Sequence, residues 1–185
     1  MEKPLVFLDI DDTLLETKTV QKLFLSQRYK FNSLEELNSY FNKIKLEELF
    51  DIGREILNFQ YADFLFQRIS HAYETLRNLK NDYRFECCTA RPLCHSSLID
   101  KIIFDYYESC IDKIHYFGEL TSKVRFSQEK GARLLVDDSI NSFKGIKNSG
   151  LKGVLYNKGL IENKEELIIM DDWRKFPEIL ESSLF

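Results

Sequence analysis

The stretch Leu5-Val6-Phe7-Leu8-Asp9-Ile10-Asp11-Asp12-Thr13-Leu14 constrains the fold more than any other. Leu5 to Leu8 is a short apolar run that fits a strand buried on both faces. It ends in a cluster of carboxylates, Asp9, Asp11 and Asp12. Burying one charge is costly, and crowding several is worse, unless a cation or a reaction partner compensates. Asp9 and Asp11 are two residues apart, so continued strand geometry aims both off the strand's carboxyl end. In open parallel sheets that end is where ligands bind. Taken alone, the same residues also suit an acidic turn after a strand, so the rest of the chain has to decide.

From Thr17 to about Lys80 the pattern is helical. Thr17–Tyr29 carries Val20, Leu23 and Phe24 at helical spacing, and Ser33-Leu34-Glu35-Glu36 reads as a capping box opening a second helix. Leu46 to about Phe59 reads as a third helix and Tyr61–Lys80 as a fourth. The region is rich in aromatic residues, which suits the core of a small helical unit, with one or two rings left to stack on a substrate. From Arg84 strand and helix alternate: strands at Arg84–Cys88, Ile111–Phe117, Arg133–Val136, Lys152–Tyr156 and Glu166–Met170, with helices from Pro92, Ser122, Asn141 and Trp173. The expected class is α/β, a Rossmann-like parallel sheet sandwiched by helices. Residues 1–14 and 76–185 would form this core, and 15–75 a small α-helical unit inserted after the first strand. The first, second and fourth strands end in Asp9–Asp11, Thr89-Ala90-Arg91 and Asp137-Asp138, all on one edge of the sheet. An acidic turn does not predict that coincidence.

At 185 residues and 44% hydrophobic, the chain is long enough for one compact domain with a small appendage. The formal charge of −4 and the lack of a long basic run argue against a nucleic-acid partner. No apolar run reaches membrane-spanning length, and because Met1-Glu2-Lys3-Pro4 leads straight into a strand no signal peptide is expected. A cytoplasmic location is expected, with Cys87, Cys88, Cys94 and Cys110 as free thiols. Oligomeric state is not readable.

Together these residues resemble the haloacid dehalogenase (HAD) superfamily of aspartate-dependent phosphohydrolases. The carrying motifs are Asp9-Ile10-Asp11-Asp12-Thr13 after an apolar strand, Thr89 ending the second strand, an upstream Lys, and Leu134-Leu135-Val136-Asp137-Asp138. The lysine is Lys123, Lys130 or Lys113; Lys123, at a helix start after the third strand, has the position the resemblance favours. The resemblance implies a Mg2+-dependent phosphatase. Asp9 would be the nucleophile forming an aspartyl-phosphate, and Asp11 the acid/base. Thr89, Ala90, Arg91 and Lys123 would hold the phosphate, and Asp9, Asp11 (through its carbonyl), Asp137 and Asp138 the metal. Asp138 aligns best with the direct ligand, while Asp137 would act through water or orient Lys123. Arg91 is readable either as a substrate contact or as a surface arginine paired with Asp or Glu. Ser139 reads as a helix cap, and His71, His95 and His115 as structural or exposed.

The helical insert stands where the superfamily places a cap, which implies a small phosphorylated metabolite as partner. Thr89-Ala90-Arg91, Val136-Asp137-Asp138-Ser139 and Trp173 are similar to the pyrimidine 5′-nucleotidase and 5′(3′)-deoxyribonucleotidase group, which implies a nucleoside monophosphate. Two other readings stand beside this one: a phosphatase for nucleic-acid 3′-phosphate or phosphoprotein, and a non-catalytic binding or regulatory protein on the same fold.

Overall fold

The computed structural model describes residues 2–57, 66–91, 93–117, 122–157, 159 and 166–184. Leu5–Leu8 (β1), Arg84–Thr89 (β2), Lys113–Tyr116 (β3), Leu134–Asp137 (β4), Lys152–Tyr156 (β5) and Leu167–Met170 (β6) form one sheet. All neighbouring pairs are parallel, in the order β3-β2-β1-β4-β5-β6. The chain lays down β1, β2 and β3 outward, then returns to the other side of β1 for β4. Winding reverses between β1 and β4, and the crevice beyond their carboxyl ends is the ligand position of such sheets. Both strands are buried at every residue, which explains their unbroken apolar reading.

One layer of core joins Phe7, Leu135 and Leu155 to Val124, Phe143, Ile146 and Leu167. Gly153 lies under this layer: a Cβ there would meet Leu167 Cδ2 at 2.6 Å. A second cluster packs Phe85 at a tilt against Phe176 (6.4 Å between ring centroids) and Phe176 edge-to-face with Trp173 (5.0 Å). Trp173 is fully buried, and its indole Nε1 donates to the Thr13 carbonyl at 3.1 Å. Trp173→Ala removes the ring and leaves that carbonyl without its donor. It is expected to destabilise the fold by about 3–5 kcal/mol, read from urea unfolding at unchanged m.

Met1–Leu15 with Arg68–Phe185 form one compact unit, and Glu16–Gln67 a second. The second unit holds helices Thr17–Arg28 (α1), Leu34–Phe41 (α2) and Leu46–Leu57 (α3), with α1 packed on both of the others. Ser33 Oγ accepts from the Glu36 amide at 3.1 Å, as a capping box requires. The Glu36 carboxylate, however, reaches past Ser33 to the Asn32 amide at 2.7 Å. Tyr29, Phe31 and Tyr40 make an aromatic triangle, and the hydroxyls of Tyr29 and Tyr40 both donate to Glu48 Oε1. That carboxylate holds the Tyr40 phenol in its protonated form, pushing its pKa up to about 12.

In the first unit the remaining helices are Ala72–Leu79 (α4), Ser96–Tyr107 (α5), Lys123–Glu129 (α6) and Phe176–Leu184 (α7). Two sequence expectations need correction. Residues 66–71 are not helical. Arg68 bridges Leu15, the Ile69 amide bonds the Leu14 carbonyl at 2.8 Å, and His71 turns the chain at φ 64° before α4. Residues 61–65 and Pro92, expected to be helical, lie outside the described residues. A single helix from Asn141 to Asn148 is also absent. Two short 3-10 turns, Ile140–Phe143 and Ile146–Asn148, are separated by Gly145 at φ 89°, a conformation that glycine adopts without steric cost. Cys87, Cys88 and Cys110 are buried free thiols, and Cys94 is exposed.

Candidate active site

The site starts from backbone pairing. The Asp9 amide donates to the Val136 carbonyl at 2.8 Å, extending the β1–β4 ladder one residue past β1. Asp9 therefore leaves the sheet beside Asp137 and Asp138. Beyond it the chain folds into a tight turn in which the amides of Leu14 and Leu15 both reach the Ile10 carbonyl. Asp12, at φ 56°, gives its amide to Leu15. Asp tolerates that left-handed position better than most side chains.

Asp9, Asp137 and Asp138 each offer one carboxylate oxygen, and the three atoms lie within 4.8 Å of one another. Asp9 and Asp137 are buried and Asp138 is half-buried. Lys123, the first residue of α6, places its Nζ 2.5 Å from Asp9 Oδ1 and 2.6 Å from Asp137 Oδ2. Ser122 caps α6, its Oγ accepting from the Arg125 amide, which fixes where Lys123 leaves the helix. Asp137 has both oxygens engaged, since the Ser139 amide donates to its Oδ1 at 2.8 Å. Ser139 thus acts through its amide; its hydroxyl makes no cap bond to the turn that follows.

Burial raises the Asp9 pKa well above the usual carboxylate range, with Lys123 opposing that shift. Burial also works against the Lys123 ammonium, but the carboxylates of Asp9 and Asp137 outweigh it and keep the pKa above its ordinary value. One ammonium cannot balance three carboxylates at this depth. Buried oxygen donors this close, with negative charge in excess, suit a hard divalent cation.

Thr89 ends β2 fully buried, its Oγ1 accepting from the Arg91 amide at 3.2 Å. Ala90 and Lys123 line a cleft of about 300 Å3 with Ser122, Ser139, Asn141, Ser142 and Lys144. The Asp11 side chain is outside the three-carboxylate group. Arg91 grips it from two nitrogens, Nε at 2.9 Å from Oδ2 and Nη2 at 2.5 Å from Oδ1. Arg91 is thus a buried, carboxylate-paired arginine rather than a surface one. Of the three candidate lysines, only Lys123 is brought to the carboxylates. Lys130 is exposed at the far end of α6 over the Phe126 ring, and Lys113 is exposed at the start of β3. His115 pairs with Glu86 at 2.7 Å. That the carboxylate paired with Arg91 is Asp11, and that Lys144 lines the same cleft as Lys123, were not expected from sequence. The only local sign of the latter was Ser139, Asn141, Ser142 and Lys144 after the acidic pair, interspersed with Ile140 and Phe143.

No family model matches the chain, and no curated protein matches it. Solved structures do. A HAD-superfamily hydrolase of subfamily IA, variant 1, from Geobacter sulfurreducens has a TM-score of 0.70 at 15% identity, covering 96% of each chain. The haloacid dehalogenase-like family hydrolase SP0104 from Streptococcus pneumoniae has a TM-score of 0.69 at 11% identity, covering 96% of this chain and 98% of that one. The fold is haloacid dehalogenase-like. A third structure with this HAD-like fold, YfnB of Bacillus subtilis bound to magnesium, has a TM-score of 0.64 at 17% identity over 97% of this chain and 99% of that one. In the HAD-like fold of this chain, the three carboxylates and Lys123 stand at the carboxyl ends of β1 and β4 and the start of α6. Among the described residues no helix is long and apolar enough to cross a membrane.

Proposed function

We propose that this protein is a Mg2+-dependent phosphatase that hydrolyses a small phosphate monoester through an aspartyl-phosphate, with a nucleoside monophosphate as substrate. The observation that carries this reading is the convergence of Asp9, Asp137 and Asp138 within 4.8 Å, with Lys123 shared between two of them. Asp9, Asp138 and the Asp11 carbonyl would hold the metal directly. Asp137, whose oxygens already serve Lys123 and the Ser139 amide, would orient Lys123. Mg2+, when bound, supplies the positive charge that lets an anionic nucleophile approach an anionic ester.

Asp9 forms the new bond to phosphorus with its remaining oxygen while the bond to the leaving oxygen breaks. Asp11 hands a proton to that leaving oxygen, then takes one from the water that splits the aspartyl-phosphate. Asp11 is tied to Arg91. Its turn as an acid begins when the guanidinium shifts to the incoming phosphate oxygens. The Thr89 hydroxyl, the amides of Ala90 and Arg91, and the Lys123 ammonium stabilise the non-bridging oxygens. Asp11 also favours cleavage of a phosphorus–oxygen bond over a carbon–halogen bond, which needs no acid at that position. The nucleoside assignment rests on the resemblance of Thr89-Ala90-Arg91, Val136–Ser139 and Trp173 to the pyrimidine 5′-nucleotidase group, Trp173 itself being a core residue.

The test is phosphate release from p-nitrophenyl phosphate and a panel of nucleoside monophosphates, with Mg2+ and with EDTA. Chelation is expected to cut the rate by at least about a thousandfold. Equal rates with and without metal would overturn the proposal, and a preference for non-nucleotide esters would overturn its substrate assignment.

A further inference from the structure

The cleft that Ala90 and Lys123 share with the phosphate site has a further wall, Ser139 to Lys144, that the phosphate chemistry does not use. Its walls are the Ala90 loop, Ser122 and Lys123 at the start of α6, and Ser139, Asn141, Ser142 and Lys144 after β4. Three hydroxyls and an amide can each donate a hydrogen bond, two residues are ammonium-bearing, and among the described residues no acidic side chain lines the walls. The two lysines differ. Lys123 is committed to Asp9 and Asp137. Lys144 makes no ion pair with any described residue, and the neighbouring Lys147 pairs with Glu166 outside the cleft. With a divalent cation in place, the three carboxylates and Lys123 cancel, so Lys144 is surplus positive charge on the cleft wall. A volume of about 300 Å3 equals roughly ten waters, the low end for small-molecule sites. It suits one oxyanion and a few carbons rather than a large ring system.

We propose that this cleft is a subsite for a second oxyanion of the substrate, a carboxylate or a second phosphate, held by Lys144 with Ser139, Asn141 and Ser142. The proposal rests on the phosphatase reading and shifts its substrate from a nucleoside monophosphate to phosphate monoesters that carry a second anionic group, such as a nucleoside bisphosphate. Gly145, at φ 89°, breaks the helix that the sequence pattern would otherwise continue, and Lys144, at φ −57° and ψ 120°, is the non-helical residue just before it. This break places the ammonium on the cleft wall instead of along a helix.

The experiment uses two matched substrate pairs. 3-Phosphoglycerate and glycerol 3-phosphate differ by a carboxylate against a hydroxymethyl group. A nucleoside 3′,5′-bisphosphate and its 5′-monophosphate differ by the second phosphate. In at least one pair the doubly anionic member is expected to have a kcat/KM higher by about tenfold or more, carried by KM, and the pair that shows it identifies the second anion. Lys144→Gln should bring that ratio to about one, whereas Lys147→Gln, the same charge change outside the cleft, should leave the ratio intact. Calorimetric binding of the same compounds to Asp9→Asn protein reads the preference without turnover. Equal binding and equal kcat/KM within both pairs, or a preference that survives Lys144→Gln, would overturn the subsite. Failure of the phosphatase reading looks different, since no ester would then be hydrolysed while the binding preference and its loss in Lys144→Gln still decide the subsite.

Discussion

Asp9→Asn is expected to lower Mg2+-dependent phosphate release by about four orders of magnitude or more, with the folded protein retained. Asn keeps the size and shape of the side chain but is a poor nucleophile and a weak ligand for a hard cation. Losing a nucleophile usually costs that much because the remaining groups then have nothing to activate. The fold should survive because the change relieves crowding rather than creating it. Burial already disfavours the charged Asp9 side chain, and Lys123 keeps Asp137 as a partner at 2.6 Å. Steady-state kinetics with p-nitrophenyl phosphate, alongside a thermal melt, checks both halves. A variant that melts normally and turns over at the wild-type rate would remove Asp9 from the chemistry.

Lys123→Met is expected to affect stability and activity together. The methionine keeps the buried stem and removes the charge, leaving Asp9 and Asp137 facing each other, their side chains 6% and 1% exposed. Removing one partner from a buried ion-pair network costs about 3–5 kcal/mol, and this should be seen in metal-free unfolding. Because the Lys123 pKa is raised, its stabilisation is present below the ordinary lysine value of 10.5. It is lost only as pH rises through the higher folded value, so the deficit should persist across the neutral range. Added Mg2+ binds only the folded form and should recover part of it. Activity should remain lower by roughly 10²–10³-fold, the usual effect of losing one preorganised donor to a developing charge. Full recovery of turnover by Mg2+ would show that Lys123 serves folding alone.

What the sequence made legible were the features that need no distant partner. β1 and β4 are buried on both faces, so their apolar runs read directly, and the capping serine of α2 sits three residues before its glutamate. What stayed hidden depends on contacts across the chain. Phe66 and Ile69 keep helical spacing, but the backbone at 66–71 is drawn out by Leu14 and Leu15, more than fifty residues away. Lys123 opens α6 and Lys130 lies just past its end, so sequence spacing alone separates them poorly, and the ion pairs with Asp9 and Asp137 are what show that Lys123 meets the carboxylates. The grip of Arg91 on Asp11 spans 80 positions, and no local pattern announces it.

The most direct measurement is anomalous diffraction from crystals grown with Mn2+ in place of Mg2+. A single peak about 2.1 Å from oxygens of Asp9 and Asp138 and from the Asp11 carbonyl is the expected result. A peak bound elsewhere, or no peak between the ends of β1 and β4, would contradict the metal-centred chemistry assigned to these residues.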